Sequence, residues 1–163
     1  MPRPVPPGIG QESVWDYPRP PRLEPTARKI RVILGGQEVA ASCRALRLLE
    51  TSHPPTYYIP PEDVRQEYFA RTARRSFCEW KGSATYYTLR AGGREAVDGA
   101  WTYHSPVAAY QALLDHFAFY AAAMNACFVD DEQITPQPGG FYGGWITSDL
   151  VGPFKGVPGS TGW

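Results

Sequence analysis

The chain carries little cysteine or histidine, no surplus of either charge, and no long apolar run. Its cysteines, Cys43, Cys78 and Cys127, are odd in number and widely spaced, and His53, His104 and His116 are equally scattered. Paired Cys-x-x-Cys motifs are missing, so a structural zinc site is not expected, nor is any bound metal or cofactor. A disulfide framework is equally disfavoured, which fits a reducing compartment. Sixteen basic residues balance sixteen acidic ones, so no overall field draws the protein to nucleic acid or to an anionic membrane. The longest basic cluster, Arg71 to Arg75, reads as a solvated loop. The opening Met-Pro-Arg-Pro-Val-Pro-Pro-Gly has no apolar leader core, and nothing approaches the roughly 18 apolar residues of a membrane span. A cytoplasmic protein is the expectation.

Two kinds of phosphate chemistry also lack their usual groups. The stretch from Gly152 to Thr161 has glycines, a lysine and hydroxyls, but in the wrong order for a phosphate loop, with no strand before it and no helix after. Clustered carboxylates that could hold magnesium occur only at Asp130-Asp131-Glu132, which reads as an exposed hairpin turn.

What the chain has in quantity is proline (17), glycine (16) and aromatic residues (13%). Together they suit short strands with many turns. Residues 1–27 read as an extended, proline-rich arm. Trp15 and Tyr17 should dock on the core, because a Trp left in water forgoes about 2 to 3 kcal/mol of burial. Residues 28–135 read as a β-rich core domain and 136–163 as an irregular Gly/Pro/aromatic arm packed on it, or on a second copy as a homodimer.

Within the core, Ile30, Val32 and Leu34 alternate up to Gly35-Gly36, and Glu38 to Ser42 alternates again, predicting a hairpin with a two-residue turn. Arg44 to Glu50 predicts a strand with Leu46 and Leu48 on one face and Arg47 and Leu49 on the other. Pro61 starts a helix of at most two turns that sets Val64 and Tyr68 on one side. Phe77–Trp80, Ala84–Leu89 and Ala100–Tyr103 predict three consecutive antiparallel strands. Ser105-Pro106 looks like a helix start, with Val107, Tyr110, Leu113 and Leu114 at helical spacing, ending near His116. Phe117 to Val129 mixes signals; strands are expected at both ends, with a last hairpin through the acidic turn to Gln133-Ile134-Thr135. The fold expected is mainly β: one small domain of bent antiparallel sheets, tent-like or barrel-like, with one or two short helices.

Candidate chemistry centres on aromatic residues. Tyr57, Tyr58, Trp80, Lys81, Tyr86, Tyr87, Trp101 and Tyr103 lie on or beside neighbouring strands, and binding clefts are aromatic-lined with a few converging polar groups. Aromatics on consecutive strands also fill cores as cross-strand pairs, and Tyr86 and Tyr87 must point to opposite faces, so at most half of these rings should share a cavity. Trp80, Trp101 and Tyr103 would supply ring faces, joined by Tyr58 and Tyr87, with Lys81, Arg47 or Glu50 orienting a ligand. Cys78 is the candidate nucleophile, since a neighbouring cation such as Lys81 or Arg75 activates a thiol. Strand alternation would place it on the same face as Trp80, where the plainer reading is a small core residue.

Several strings are specific enough to carry a resemblance. They are Glu12 to Pro21 (ESVWDYPRPP), Arg44 to Val64 (RALRLLETSHPPTYYIPPEDV), Cys78 to Tyr87 (CEWKGSATYY), Ala100 to Tyr103 (AWTY), and the tail GGFYGGWITSD from Gly139 with GPFKG from Gly152. They resemble the successive blocks of the widespread bacterial domain of unknown function 427, in its longer form. The resemblance implies a compact β-rich domain and a loose label of nucleotidyltransferase-like protein; it implies no catalytic residues. A further likeness to the bent two-sheet β-tent architecture implies relatives that include zinc proteins, cysteine-based methionine sulfoxide reductases and aromatic-cage binders. Three functions follow as expectations: a small-molecule or modified-residue binding module; an enzyme, through thiol chemistry at Cys78 or nucleotidyl or phosphoryl transfer; or an interaction protein using its terminal arms.

Overall fold

The computed structural model describes residues 2–163. The N-terminal arm supplies β1 (Glu12–Ser13) and β2 (Arg22–Pro25). β3 (Ile30–Leu34) and β4 (Gln37–Ser42) form the expected hairpin, followed by β5 (Leu46–Leu49) and β6 (Thr56–Tyr58). A long meander follows, made of β7 (Phe69–Cys78), β8 (Gly82–Ala91) and β9 (Arg94–Thr102), then β10 (Phe117–Phe119), β11 (Ala126–Val129) and β12 (Glu132–Gln133). The C-terminal segment adds β13 (Thr135–Pro136), β14 (Trp145–Ile146) and β15 (Leu150–Val151).

The strands assemble into antiparallel sheets of order β12-β11-β3-β4, β10-β9-β8-β7 and β2-β5-β6, with small pairs β13-β14 and, in parallel, β1-β15. None closes into a barrel; the fold is mainly β, one small domain of open sheets. Ile59, just past β6, exchanges both backbone hydrogen bonds with Phe117, at 2.8 and 2.9 Å, and so splices β6 to β10. Pleat alternation then divides the side chains between two faces. Tyr57, Ile59, Leu89, Ala100, Phe117 and Phe119 face the β3-β4-β11 sheet and pack with Ile30, Val32, Val129 and Trp145 as the main core. Leu48, Tyr58, Tyr86, Trp101 and Ala118 face the other way and form a second cluster.

The terminal arms wrap on each other. Val14 and Tyr17 are buried against Leu49 and Leu150, Trp15 Nε1 donates to Pro153 O at 2.8 Å, and the rings of Trp15 and Trp163 lie 5.5 Å apart. Among the described residues no helix is long and apolar enough to cross a membrane.

Several expectations need correction. The helix expected after Ser105-Pro106 is a run of 3₁₀ turns, Ala108–Leu113, broken at Tyr110 (φ −118°, ψ 26°). A 3₁₀ turn eclipses residues three apart, which lets Tyr110 and Leu113 both point inward, with Tyr110 OH donating to Pro21 O at 2.6 Å. The helix expected after Pro61 is two separate 3₁₀ turns, Pro61–Asp63 and Gln66–Tyr68, because Val64 between them is held extended by a bridge to Ala40. Arg71 to Arg75 is not a loop but the bulged middle of β7, an edge strand whose exposed charges discourage pairing with another chain. β7 ends at Cys78, so Trp80 sits in the Glu79-Trp80-Lys81 turn and strand alternation does not place it with Cys78. Phe117–Val129 has strands at both ends, as expected, around a 3₁₀ turn at Ala121–Ala123.

Two glycine pairs make the hairpin turns, with φ of 58° and 75° at Gly35-Gly36 and 54° and 78° at Gly92-Gly93. Both positive values are what a two-residue turn of primed type needs. The turns also touch: a Cβ on Gly92 would fall 1.8 Å from Gly35 O, whereas Gly93 faces open space. Gly92→Ala should therefore lower unfolding free energy by about 2 kcal/mol or more. Gly93→Asn should change it by less than about 0.5 kcal/mol, since Asn tolerates this conformation. Urea midpoints of the two variants check the contrast, and equal losses would refute the close approach of the turns.

Candidate functional site

The second cluster is only partly roofed, and the gap is a cleft of about 340 Å³. Its floor is the outward face of β6, β8 and β9. There Tyr86 and Trp101 are cross-strand partners, and Tyr58 comes alongside through the β6–β10 splice. One wall is the end of β7 with the Glu79-Trp80-Lys81 turn; the opposite wall is the C-terminal segment, with Phe141, Tyr142, Gly143 and Lys155. Glu50 and His53 close one end, and Arg74 stands toward a second recess of about 320 Å³ shared with Tyr120 and Tyr142.

The floor rings interlock. Tyr58 stands perpendicular to Trp101 at 6.4 Å, accepts a 3.4 Å hydrogen bond from Trp101 Nε1, and lies 6.3 Å from Tyr103. Trp101 also lies 4.5 Å from Tyr120 and 6.5 Å from Tyr86, whose hydroxyl pairs with Ser76 Oγ at 2.8 Å. Tyr58, Tyr86, Trp101 and Tyr103 are almost wholly buried, while Trp80, Tyr120 and Tyr142 keep accessible surface. The C-terminal wall lies directly on the indole: a Cβ on Gly143 would sit 2.1 Å from Trp101 Cη2. Only glycine permits that approach.

The polar end has a defined protonation pattern. Gln137 accepts from Gly144 N at 3.0 Å, so its amide nitrogen donates to Lys155 O at 2.9 Å and to His53 Nδ1 at 3.0 Å. His53 therefore carries its proton on Nε2, 3.6 Å from Glu50 Oε2. Burial, reinforced by Lys155, Arg19 and Lys81, pushes the His53 pKa down to about 4, and the ring is neutral at pH 7. Lys81 is held above its ordinary value: burial works against its charge, but Tyr58, Cys78 and Glu50 outweigh that. Burial pushes the Tyr103 phenol up, and it stays protonated.

Of the residues singled out from sequence, Glu50, Tyr58, Cys78, Trp80, Lys81, Trp101 and Tyr103 line this cleft together. With Tyr86, five of the seven rings considered share it, more than half, because Tyr86, Trp101 and Tyr58 arrive from three strands on one face. Arg47 and Tyr87 lie elsewhere. Arg47 points to the opposite face of β5, where it binds Glu12 and Glu24 at 2.8 and 2.7 Å with only 11% of its side chain exposed. Tyr87 packs beside the main core and pairs with His104 Nε2 at 2.9 Å, whose Nδ1 is 2.6 Å from Asp115. Missed from sequence were His53, Arg74, Tyr120, Gln137, Tyr142 and Lys155. The tail's aromatics were a signal for Tyr142, read only as packing, whereas nothing local marked His53 or Gln137.

Among the described residues no three His, Cys, Asp or Glu side chains converge as a metal-binding group. The acidic turn at Asp130 and Asp131 has positive φ at both residues, and Asp130 accepts from Lys29 N and Arg28 at 2.8 and 2.9 Å. Cys127 is buried, which pushes its thiol up.

Compared with known proteins, residues 22–130 match the profile of a family described as a domain of unknown function (DUF427), and the chain belongs to that family. No curated protein matches the chain. The matched stretch carries the cleft floor and the Trp80-Lys81 wall; Gln137, Phe141, Tyr142, Gly143 and Lys155 lie beyond it.

His53 gives the polar end a pH signature. Its folded pKa of about 4 lies below the ordinary 6.5, so the unfolded chain takes up a proton first as pH falls. The stability contributed by neutral His53 is whole above about pH 6.5 and is lost as pH falls toward 4, in all about 3 kcal/mol. Urea unfolding should show the parent losing about that much more than His53→Gln between pH 7 and pH 4; parallel pH profiles would refute the buried neutral ring.

Proposed function

We propose, taking membership of that family as the premise, that the protein is a binding module for a small molecule or a modified side chain, held in the cleft between the Trp80-Lys81 turn and the C-terminal segment. The carrying observation is the hollow beside Lys81, bounded by Tyr58, Trp101 and Tyr103 and large enough for a ligand. Accessible aromatic surface at Trp80, Tyr120 and Tyr142 supplies flat apolar contact, and Lys81 and Glu50 supply opposite charges at one end. Rings locked by their own packing lose little entropy when a ligand arrives.

An aromatic fragment screen by NMR tests this reading. Fragments that bind should move the indole N–H signals of Trp80 and Trp101 and leave those of Trp15 and Trp163 in place. If no fragment at millimolar concentration moves either cleft indole, the reading fails.

A second reading is thiol chemistry at Cys78, supported by its half-buried place on the cleft wall beside Lys81. In a Cys43→Ser background, iodoacetamide should alkylate native Cys78 at least ten times faster than Cys127 and faster than free cysteine at pH 7. A rate at or below that of the free amino acid would remove the thiol reading.

A further inference from the structure

The charges around the cleft are unevenly matched. On the rest of the surface described, Arg28, Arg31, Arg44, Arg47, Arg65 and Arg90 each have a carboxylate within 4.0 Å, whereas the exposed Arg3, Lys29, Arg71, Arg75 and Arg94 do not. Among the described residues Arg74, Lys81 and Lys155, all lining the cleft, have no Asp or Glu carboxylate within that distance. Glu50, at the cleft end, is already taken by Arg19 at 3.3 Å and faced by His53 at 3.6 Å. Glu79 stands in the exposed turn.

Each of these three cleft cations instead lies near a ring. Lys81 Nζ is 5.7 Å from the Tyr103 centroid, Lys155 Nζ is 5.6 Å from that of Tyr142, and the Arg74 guanidinium is 4.3 Å from that of Tyr86. Such contacts use the positive charge but not the N–H donors. Lys155 donates one of its three to O of Trp163, the last residue of the chain, at 3.1 Å and keeps the others. Lys81 and Lys155 both depress the pKa of His53, so their fields overlap at that end. An anion entering the cleft would meet these charged donors directly.

We propose that the cleft takes a small aromatic molecule bearing a carboxylate or phosphate, its anion between Lys81 and Lys155 and its ring among Trp80, Trp101 and Tyr142. This rests on the binding-module reading and gives it a ligand class. The volume of about 340 Å³ is roughly twice that of a cavity that holds benzene, which accommodates a ring and its charged group. Lys81 comes from the family-matched region and Lys155 from the segment beyond it, so the anion site is complete only when that segment is folded down.

Titration of the full chain with phenyl phosphate, phenol, benzylamine and inorganic phosphate, followed at the Trp80 and Trp101 indoles, tests the assignment. Phenyl phosphate should bind at least tenfold more tightly than phenol, benzylamine or inorganic phosphate, and more weakly as salt rises. Lys81→Met and Lys155→Met should each weaken it about tenfold, with melting temperatures measured alongside to confirm that both variants fold. If phenol or benzylamine binds as tightly as phenyl phosphate, or if neither lysine variant weakens it, the anion site is wrong while the aromatic cleft stands. Silence of both indoles toward all four probes removes both.

Discussion

Two backbone hydrogen bonds between Ile59 and Phe117 splice β6 onto β10, and the outward face of the molecule depends on that junction. Without it the β2-β5-β6 sheet and the β10-β9-β8-β7 sheet are separate objects. With it they share one pleat, and a period of two runs across the seam. Tyr57 and Ile59 then fall on the side of Phe117 and Phe119, while Tyr58 falls on the side of Trp101. Slipping that register by one residue would exchange the faces, burying Tyr58 in the main core and turning Tyr57 into the cleft.

A sheet with two apolar faces needs two covers. One face has a complete partner in the β3-β4-β11 sheet, and its cluster includes Trp145 at 1% exposure. The other is covered piecemeal, by the Tyr110–Leu113 turns, the Trp80 turn and the C-terminal segment, and the cleft is where those covers fail to meet. The arms hold the last cover in place. β1 pairs with β15, Trp15 donates to Pro153, and Arg47 ties β5 to Glu12 and Glu24. Arg47 thus acts on the cleft only indirectly, by anchoring the N-terminal arm on which the C-terminal segment rests.

What was legible in the sequence follows the range of the forces involved. Local alternation and the Gly-Gly turns identified the β3–β4 hairpin and the meander, because both are decided within a few residues. Floor residues Tyr58, Trp101 and Tyr103 were legible for a related reason, as large rings on adjacent strands. The 3₁₀ turns at Ala108–Leu113 were not, since the hydrogen bond from Tyr110 to Pro21 joins residues far apart in sequence and overrides helical spacing. Arg47 and Tyr87 were drawn toward the cleft by their chemistry, but pleat parity sends both to the other side. His53, Gln137 and Lys155 meet only through the tertiary fold, so no spacing rule could have gathered them.

The cleft is also where the molecule departs from the economy of the rest of its surface. Elsewhere many arginines are paired with carboxylates, and the turns at Gly35 and Gly92 are fitted backbone to backbone. Here three cations without an Asp or Glu partner stand beside aromatic rings, His53 is kept neutral, and a glycine is pressed onto an indole. Two of these features oppose stability: a neutral buried His disfavours folding in acid, and Gly143 carries the entropy of a residue without a side chain. Sequences that fold uniquely keep such conflicts few and place them at sites of function. Their concentration along one cleft, shared by a wall from the family-matched region and a wall from the segment beyond it, is what favours the proposed binding reading over a plain gap in packing.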